Sequence, residues 1–158
     1  MIYCGVDPGS SGALAIIDDL GMVLSIDRFS SVVSEGQIGS LIYDRLSALP
    51  TPTLLAIEKV HSMPGQGVSS TFKFGRTYGE AYAACVICRA MVQAVSPQRW
   101  QKDFGLLSYG GTSKTDHKKA LKEFACTRWG RKFHSEEADA VLIAEWLRIH
   151  SNRTHHRG

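Results

Sequence analysis

The sequence predicts an α/β domain built on a five-stranded mixed sheet with helices on both faces. Three observations predict it. Residues 1 to 28 alternate short apolar runs with turn signals, the pattern of an antiparallel strand meander. Next comes a segment with helical apolar spacing and then another apolar run, so this fourth strand returns after a crossover and lies parallel to an earlier one. A second helix-then-strand step follows, and the chain closes in helices, which is how a mixed sheet acquires cover on both sides.

Taken in order, the meander comprises IYCGV, ALAII and MVLSI, separated by DPGSSG and by a tight turn around Asp19, Leu20 and Gly21. Residues 34 to 49 place Ile38, Leu41, Ile42, Leu46 and Leu49 at helical spacing, with Ser34 as N-cap and Pro50 and Pro52 beyond the end. TLLAIE at 53 to 58 is a buried strand. After the loop HSMPGQG a long helix runs from 68 to 90, in which Gly75 and Gly79 weaken helix propensity and suggest close packing against another backbone. MVQAV at 91 to 95 is the fifth strand, and Pro97 begins a short helix through Phe104. A glycine-rich loop precedes two helices near 113 to 129 and 135 to 150.

At 158 residues, with 44% hydrophobic and 21% charged residues, the chain fits one domain over 1 to 150, followed by a basic, disordered tail, SNRTHHRG, at 151 to 158. No apolar run approaches the roughly 18 residues that cross a bilayer, and the opening lacks the features of a signal peptide, so a cytoplasmic location without membrane contact is expected. Four cysteines are too few for a disulfide framework, and Cys85 and Cys88 in EAYAACVICRAMV read as buried helix residues. Charge is uneven. Residues 97 to 158 hold 12 Lys and Arg against 7 Asp and Glu, whereas residues 1 to 96 hold 6 against 8. A basic second half suits a polyanion such as nucleic acid.

Four carboxylates carry the chemistry. Asp7 ends the first strand before a Pro-Gly-Ser-Ser-Gly turn, where it could equally be a turn cap; Glu58 ends the fourth, where it could simply mark the return to solvent. If those strands are parallel neighbours, both acids finish at one sheet edge. In SEEADAVLIAEWL, Glu136 and Asp139 stand three apart on one helix face, although Ser135 as N-cap with acids in the first turn is also ordinary helix-start chemistry. Gathered together, such like charges require a cation. Oxygen-only ligands suit Mg²⁺ or Mn²⁺, and two ions about 4 Å apart can drive in-line phosphodiester cleavage.

In chain order, GVDPGSSGALAI at 5 to 16, AIEKV at 56 to 60, FKFGRTYGEA at 72 to 81, SPQRW at 96 to 100 and EEADA at 136 to 140 resemble the RuvC family of Holliday junction resolvases, within the ribonuclease H-like superfamily. The resemblance implies a ribonuclease H-like fold and a Mg²⁺-dependent endodeoxyribonuclease acting on four-way junctions and other branched DNA by symmetric paired nicks. It implies that Asp7 bridges two metal ions, Glu58 holds one, and Glu136 with Asp139 forms the final acidic pair, Glu137 being the rival of Glu136. It also implies a homodimer, joined through the helix after the Glu strand. The Gly75 and Gly79 face, with Phe72, Phe74 and Tyr78, is then either that contact or plain core, with core the preferred reading.

Departures from the family pattern are specific. The acidic pair opens with Glu136 rather than Asp, and the family lysine four residues after Pro97 is replaced by Gln101, with Lys102 next to it. Lys114 matches a family lysine near the scissile phosphate. Lys118 and Lys119 either add phosphate contacts or form a solvated helix face, and His61 stands where an aromatic wedges into the junction in cellular enzymes. These departures and the short chain point to a phage-type enzyme, working in the host cytoplasm. Two alternatives stand beside this reading: a branched-DNA-binding module of the same fold without catalysis, and an actin-like or sugar-kinase-like ATPase suggested by the DPGSSG turn.

Overall fold

A computed structural model describes residues 1–31, 37–50, 53–59, 67–88, 90–108 and 112–155. Three strands open the chain: β1 (Ile2–Asp7), β2 (Ala13–Asp18) and β3 (Val23–Arg28). Helix α1 (Gln37–Ser47) leads to β4 (Thr53–Glu58), and α2 (Val68–Ile87) to β5 (Met91–Val95). Helices α3 (Pro97–Asp103), α4 (Lys114–Trp129) and α5 (Ser135–His155) complete the chain. No described helix is long and apolar enough to cross a membrane.

The strands form one sheet in the order β3-β2-β1-β4-β5, antiparallel on the meander side and parallel from β1 through β4 to β5. Alternation along each strand divides the core in two. Cys4, Val6, Leu14, Ile16, Leu55 and Ile57 pack with Ile42 and Leu46 of α1 and with Ala81, Ala84 and Cys85 of α2. On the opposite face Tyr3, Ala15, Ile17 and Ala56 pack with Trp100, Leu121, the run Ala140 to Ala144, Trp146 and Leu147. Burying each large aliphatic side chain contributes about 1.5–3 kcal/mol, so both layers hold the sheet.

Helix α5 lies unusually close to β1, and one residue explains it. A Cβ at Gly5 would collide with the Ala140 carbonyl and the Ala144 amide, so only glycine lets the helix backbone rest on the strand. The middle of α5 is also fixed electrostatically. Glu145 is fully buried between Arg128 of α4 and Arg148, and Arg148 also donates to the Asp19 carbonyl in the β2–β3 turn. Burial alone would raise the Glu145 pKa, but hydrogen bonds from Arg148 and Arg128 outweigh it and hold the carboxyl below its ordinary range. Trp129 Nε1 donates to the Gly21 carbonyl in the same turn at 2.7 Å.

Several boundaries differ from the sequence expectation. Helix α1 is described from Gln37, and Ser34 lies outside the described residues. Helix α2 stops at Ile87, with Cys88 in its cap against Tyr43 and Ser47, so Cys85 is the buried helix cysteine and Cys88 is only half-buried. Helix α5 continues to His155, five residues into the segment expected as a disordered tail.

The expected close packing at Gly75 and Gly79 is absent among the described residues. Both are exposed, and a Cβ at either would meet nothing within 4 Å. Phe72 is 72% exposed, which overturns the core reading for that face, while Tyr78 does pack against the α1–α2 core. The reason is rotational: Ala81, Ala84 and Cys85 are the small residues that face the sheet, and the glycines lie on the opposite side of α2.

Candidate active site

Pleating determines where the strand acids point. Residues Tyr3, Gly5 and Asp7 share one side of β1, and Ala56 and Glu58 share one side of β4; Gly5 and Ala56 both lie under α5, so Asp7 and Glu58 leave the sheet on that side. The parallel register pairs Val6 with Ile57, which brings the following residues, Asp7 and Glu58, to one edge. The N-terminal part of α5 passes over that edge and delivers Glu136 from its first turn and Asp139 just beyond it. Three elements that no local sequence signal links therefore supply one acidic cluster.

Electrostatics report the convergence. The Asp7 pKa is raised by burial, against lowering contributions from the Gly9 amide and Lys118, with Glu136 raising it further. Glu58 is pushed up to about 7 by burial and by Asp7, opposed by its hydrogen bond from Trp100 and by Lys118. Asp139 is pushed up to about 8 by burial, then by Asp7 and Glu58, with Lys118 opposing and Glu136 adding. Asp139 thus feels Asp7, Glu58 and Glu136, and Glu58 feels Asp7, because these groups share a poorly solvated space.

Local structure holds two of these side chains. Asp7 Oδ1 accepts from the Gly9 amide at 3.3 Å, so the turn-capping role and membership of the cluster coexist in one carboxylate. The turn itself needs Gly12, where a Cβ would collide with the Asp7 carbonyl. Glu58 Oε1 accepts from Trp100 Nε1 at 3.0 Å. Trp100 lies within SPQRW but had no assigned role; its sequence signal is a tryptophan five residues beyond Val95, the register partner of Glu58.

Glu136 and its rival are separated by hydrogen bonding. Glu137 Oε2 accepts from the His134 amide at 2.8 Å, and Glu137 Oε1 pairs with Arg28 at 3.6 Å. The Ala138 amide bonds the His134 carbonyl, which makes His134, not Ser135, the N-cap residue and Glu137 the third residue of the helix, reaching back as in a capping box. Glu137 is thus engaged in helix-start chemistry, while Glu136 acts on Asp7 and Asp139.

The basic residues sort unevenly. Among the described residues, Lys118 is the one cation whose charge reaches Asp7, Glu58 and Asp139 alike. Lys114, four residues earlier on α4, shares its face. Lys119 pairs with Glu123 at 3.8 Å on exposed surface, and Lys102 is exposed on the last turn of α3. His117 bonds Gln101 at 3.2 Å, tying α4 to α3 at the position where a lysine was expected. His61 lies outside the described residues.

Chemically, buried carboxylates with one ammonium group nearby form a site short of positive charge. An oxygen-only set of this kind fits a hard divalent cation. Among the described residues no three acidic, histidine or cysteine side chains stand close enough to enclose an ion as placed, so binding one requires side-chain rotation towards it.

Known proteins bear on the fold. No protein-family description and no curated protein matches the chain. Solved structures do. Thermus thermophilus RuvC in complex with a Holliday junction substrate superposes with a TM-score of 0.74 at 18% identity, covering 97% of this chain and 96% of that one. A second structure of Thermus thermophilus RuvC gives a TM-score of 0.69 at 19% identity, over 98% and 97% of the two chains. The chain therefore has the RuvC-like variant of the ribonuclease H-like fold over nearly its whole length.

Proposed function

We propose that this chain is a Mg²⁺-dependent endodeoxyribonuclease that resolves Holliday junctions and related branched DNA by paired nicks. The observation that carries it is the meeting of Asp7, Glu58, Glu136 and Asp139 at one sheet edge beside Lys118, on a fold shared with a protein solved on such a junction. When bound, two Mg²⁺ or Mn²⁺ ions supply an activated water and charge stabilisation at the leaving oxygen of an in-line phosphodiester displacement.

The protein's own groups have separable tasks in this reading. Asp7, held by the Gly9 amide, and Glu58, together with the pair Glu136 and Asp139 carried in on α5, would hold the metal ions. The protons that burial favours on Glu58 and Asp139 would be given up on binding a cation. Lys118 and Lys114 meet the phosphate of the strand to be cut, and Lys119 and Lys102 serve the flanking backbone, a contribution that weakens with salt. The protein acts in the cytoplasm of its cell or host.

A homodimer supplies the second nick. Val68, Phe72, Gly75, Gly79, Tyr82 and Val86 repeat at intervals of four and three along α2, and all six are exposed. Such a stripe, apolar with two glycines at its centre, suits a second helix packed closely against it. The ATPase alternative receives no support from the described residues, which form a single five-stranded sheet.

The test is direct. Purified protein with Mg²⁺ is expected to nick a synthetic four-way junction in opposed strands near its centre, and Asp7→Asn to keep junction binding while losing cutting by about a thousandfold or more, a loss of roughly 4 kcal/mol in transition-state stabilisation. Cutting that survives Asp7→Asn would remove the metal site. Binding without cutting by the unaltered protein would make it a junction-binding module instead.

A further inference from the structure

All three tryptophans donate their indole N–H groups to defined acceptors. Trp129 reaches the Gly21 carbonyl at 2.7 Å and Trp146 reaches Asp103 Oδ2 at 2.8 Å, and both bonds tie elements together away from the acidic cluster. Trp100 differs, because its acceptor is Glu58 Oε1 at 3.0 Å. From this bond we infer that Trp100 is a positioning residue for Glu58, fixing one carboxylate oxygen so that Glu58 presents only Oε2 to a divalent cation. The inference rests on the metal-site reading above and adds how one ligand is aimed.

Three features support it. First, Trp100 is fully buried in the core cluster that contains Val95, Leu121 and Leu142, so packing on all sides sets the indole's orientation. Second, its element is anchored at both ends: Pro97 opens α3 directly after β5, and Asp103 at the other end receives Trp146 Nε1 and pairs with His150 at 3.1 Å. Third, Glu58 and Val95 are register partners on adjacent parallel strands, and α3, which carries the donor, begins two residues after Val95, so the acceptor's strand and the donor's helix start from one place in the sheet. A donor held this firmly restricts the carboxylate more than solvent could. Groups that orient metal ligands in this way typically contribute 10–100-fold to metal affinity or activity.

A purely structural role predicts something different. An indole N–H that only satisfies the core would cost stability when removed and leave metal binding alone, as removal of the Trp129 bond should. Trp100→Phe and Trp129→Phe each delete one donor and keep an aromatic ring. Mn²⁺ binding to the free protein is to be measured by electron paramagnetic resonance, with thermal melting in parallel. Trp100→Phe is expected to weaken Mn²⁺ binding by about 10-fold or more, while Trp129→Phe binds as the unaltered protein does. Equal Mn²⁺ affinity in Trp100→Phe and the unaltered protein overturns the inference.

A measurement on the unaltered protein guards against a Trp100→Phe chain that does not fold. With tryptophan labelled by ¹⁵N and the indole signals assigned through Trp129→Phe and Trp146→Phe, Mg²⁺ is expected to shift the Trp100 indole signal and leave that of Trp129 in place. A Trp100 signal unmoved at saturating Mg²⁺ overturns the inference. Glu58→Gln separates the two levels: it should abolish the tight Mn²⁺ site, and a protein that binds no Mn²⁺, or binds it equally well after Glu58→Gln, takes down the metal-site reading and this inference together.

Discussion

If Glu58 and Asp139 hold the proposed metal, their raised pKa values link its binding to pH. Their ordinary ranges lie near 4, and the folded chain lifts them to about 7 and about 8. A folded state that keeps protons the unfolded chain has released loses stability as pH rises between those limits. Metal-free protein should therefore lose part of its stability between pH 5 and pH 8 through these two groups. Because Mg²⁺ replaces the protons, it should raise the melting temperature strongly at pH 8 and little at pH 5. Equal Mg²⁺ shifts at both pH values, by scanning calorimetry, would contradict the proposed ligands.

Glu136 and Glu137 make the second test at this scale. Glu137→Ala removes the bond to the His134 amide and the pair with Arg28, and should destabilise the fold by about 1 kcal/mol while leaving metal-dependent cutting intact. Glu136→Ala should do the reverse, losing cutting with little change in melting. A reversed pattern would make Glu137 the ligand. Sequence spacing favoured Glu136 because it stands three residues before Asp139, but only the bonds made by Glu137 show why its neighbour is the one left to the cluster.

Among the elements, α5 and β1 form the pair on which the site depends. Gly5→Ala places a methyl group against the α5 backbone, where no side-chain rotation can relieve it, and should cost roughly 3 kcal/mol or more, displacing Asp139 from Asp7. Thermal melting and Mn²⁺ binding would check it, and an unchanged melting temperature would rule out so tight a contact. The elements themselves were largely legible: β4 and β5 occupy their expected residues because prolines at 50, 52 and 97 bracket short apolar runs. Facing was harder to read. Which side of α2 meets the sheet follows from three-dimensional packing at Ala81, Ala84 and Cys85, and the glycine spacing pointed the other way. The task of Trp100 was hidden likewise, since it depends on the β4–β5 register.

Across the whole molecule, the exposed α2 stripe is the contact of the proposed homodimer. Phe72→Glu places a charge at its most aromatic point and should weaken self-association by about 2 kcal/mol or more, the scale of an interface hot spot. Sedimentation velocity would show a dimer becoming a monomer, and opposed nicking of a junction should become uncoupled as the second site is lost. A dimer of unchanged stability would place the contact elsewhere.

The crossing of α5 over Gly5 also orders events in time. A ribosome releases Asp7 first and Asp139 only after β5, α3 and α4 have emerged, and the face of β1 that α5 covers stays open until then. Asp7 and Glu58 can be side by side early in synthesis, yet the cluster lacks its other half. A chain cut short before α5 would carry an uncovered apolar sheet and two acids without their partners. The chemistry assigned to this protein is thus withheld from unfinished chains by topology alone.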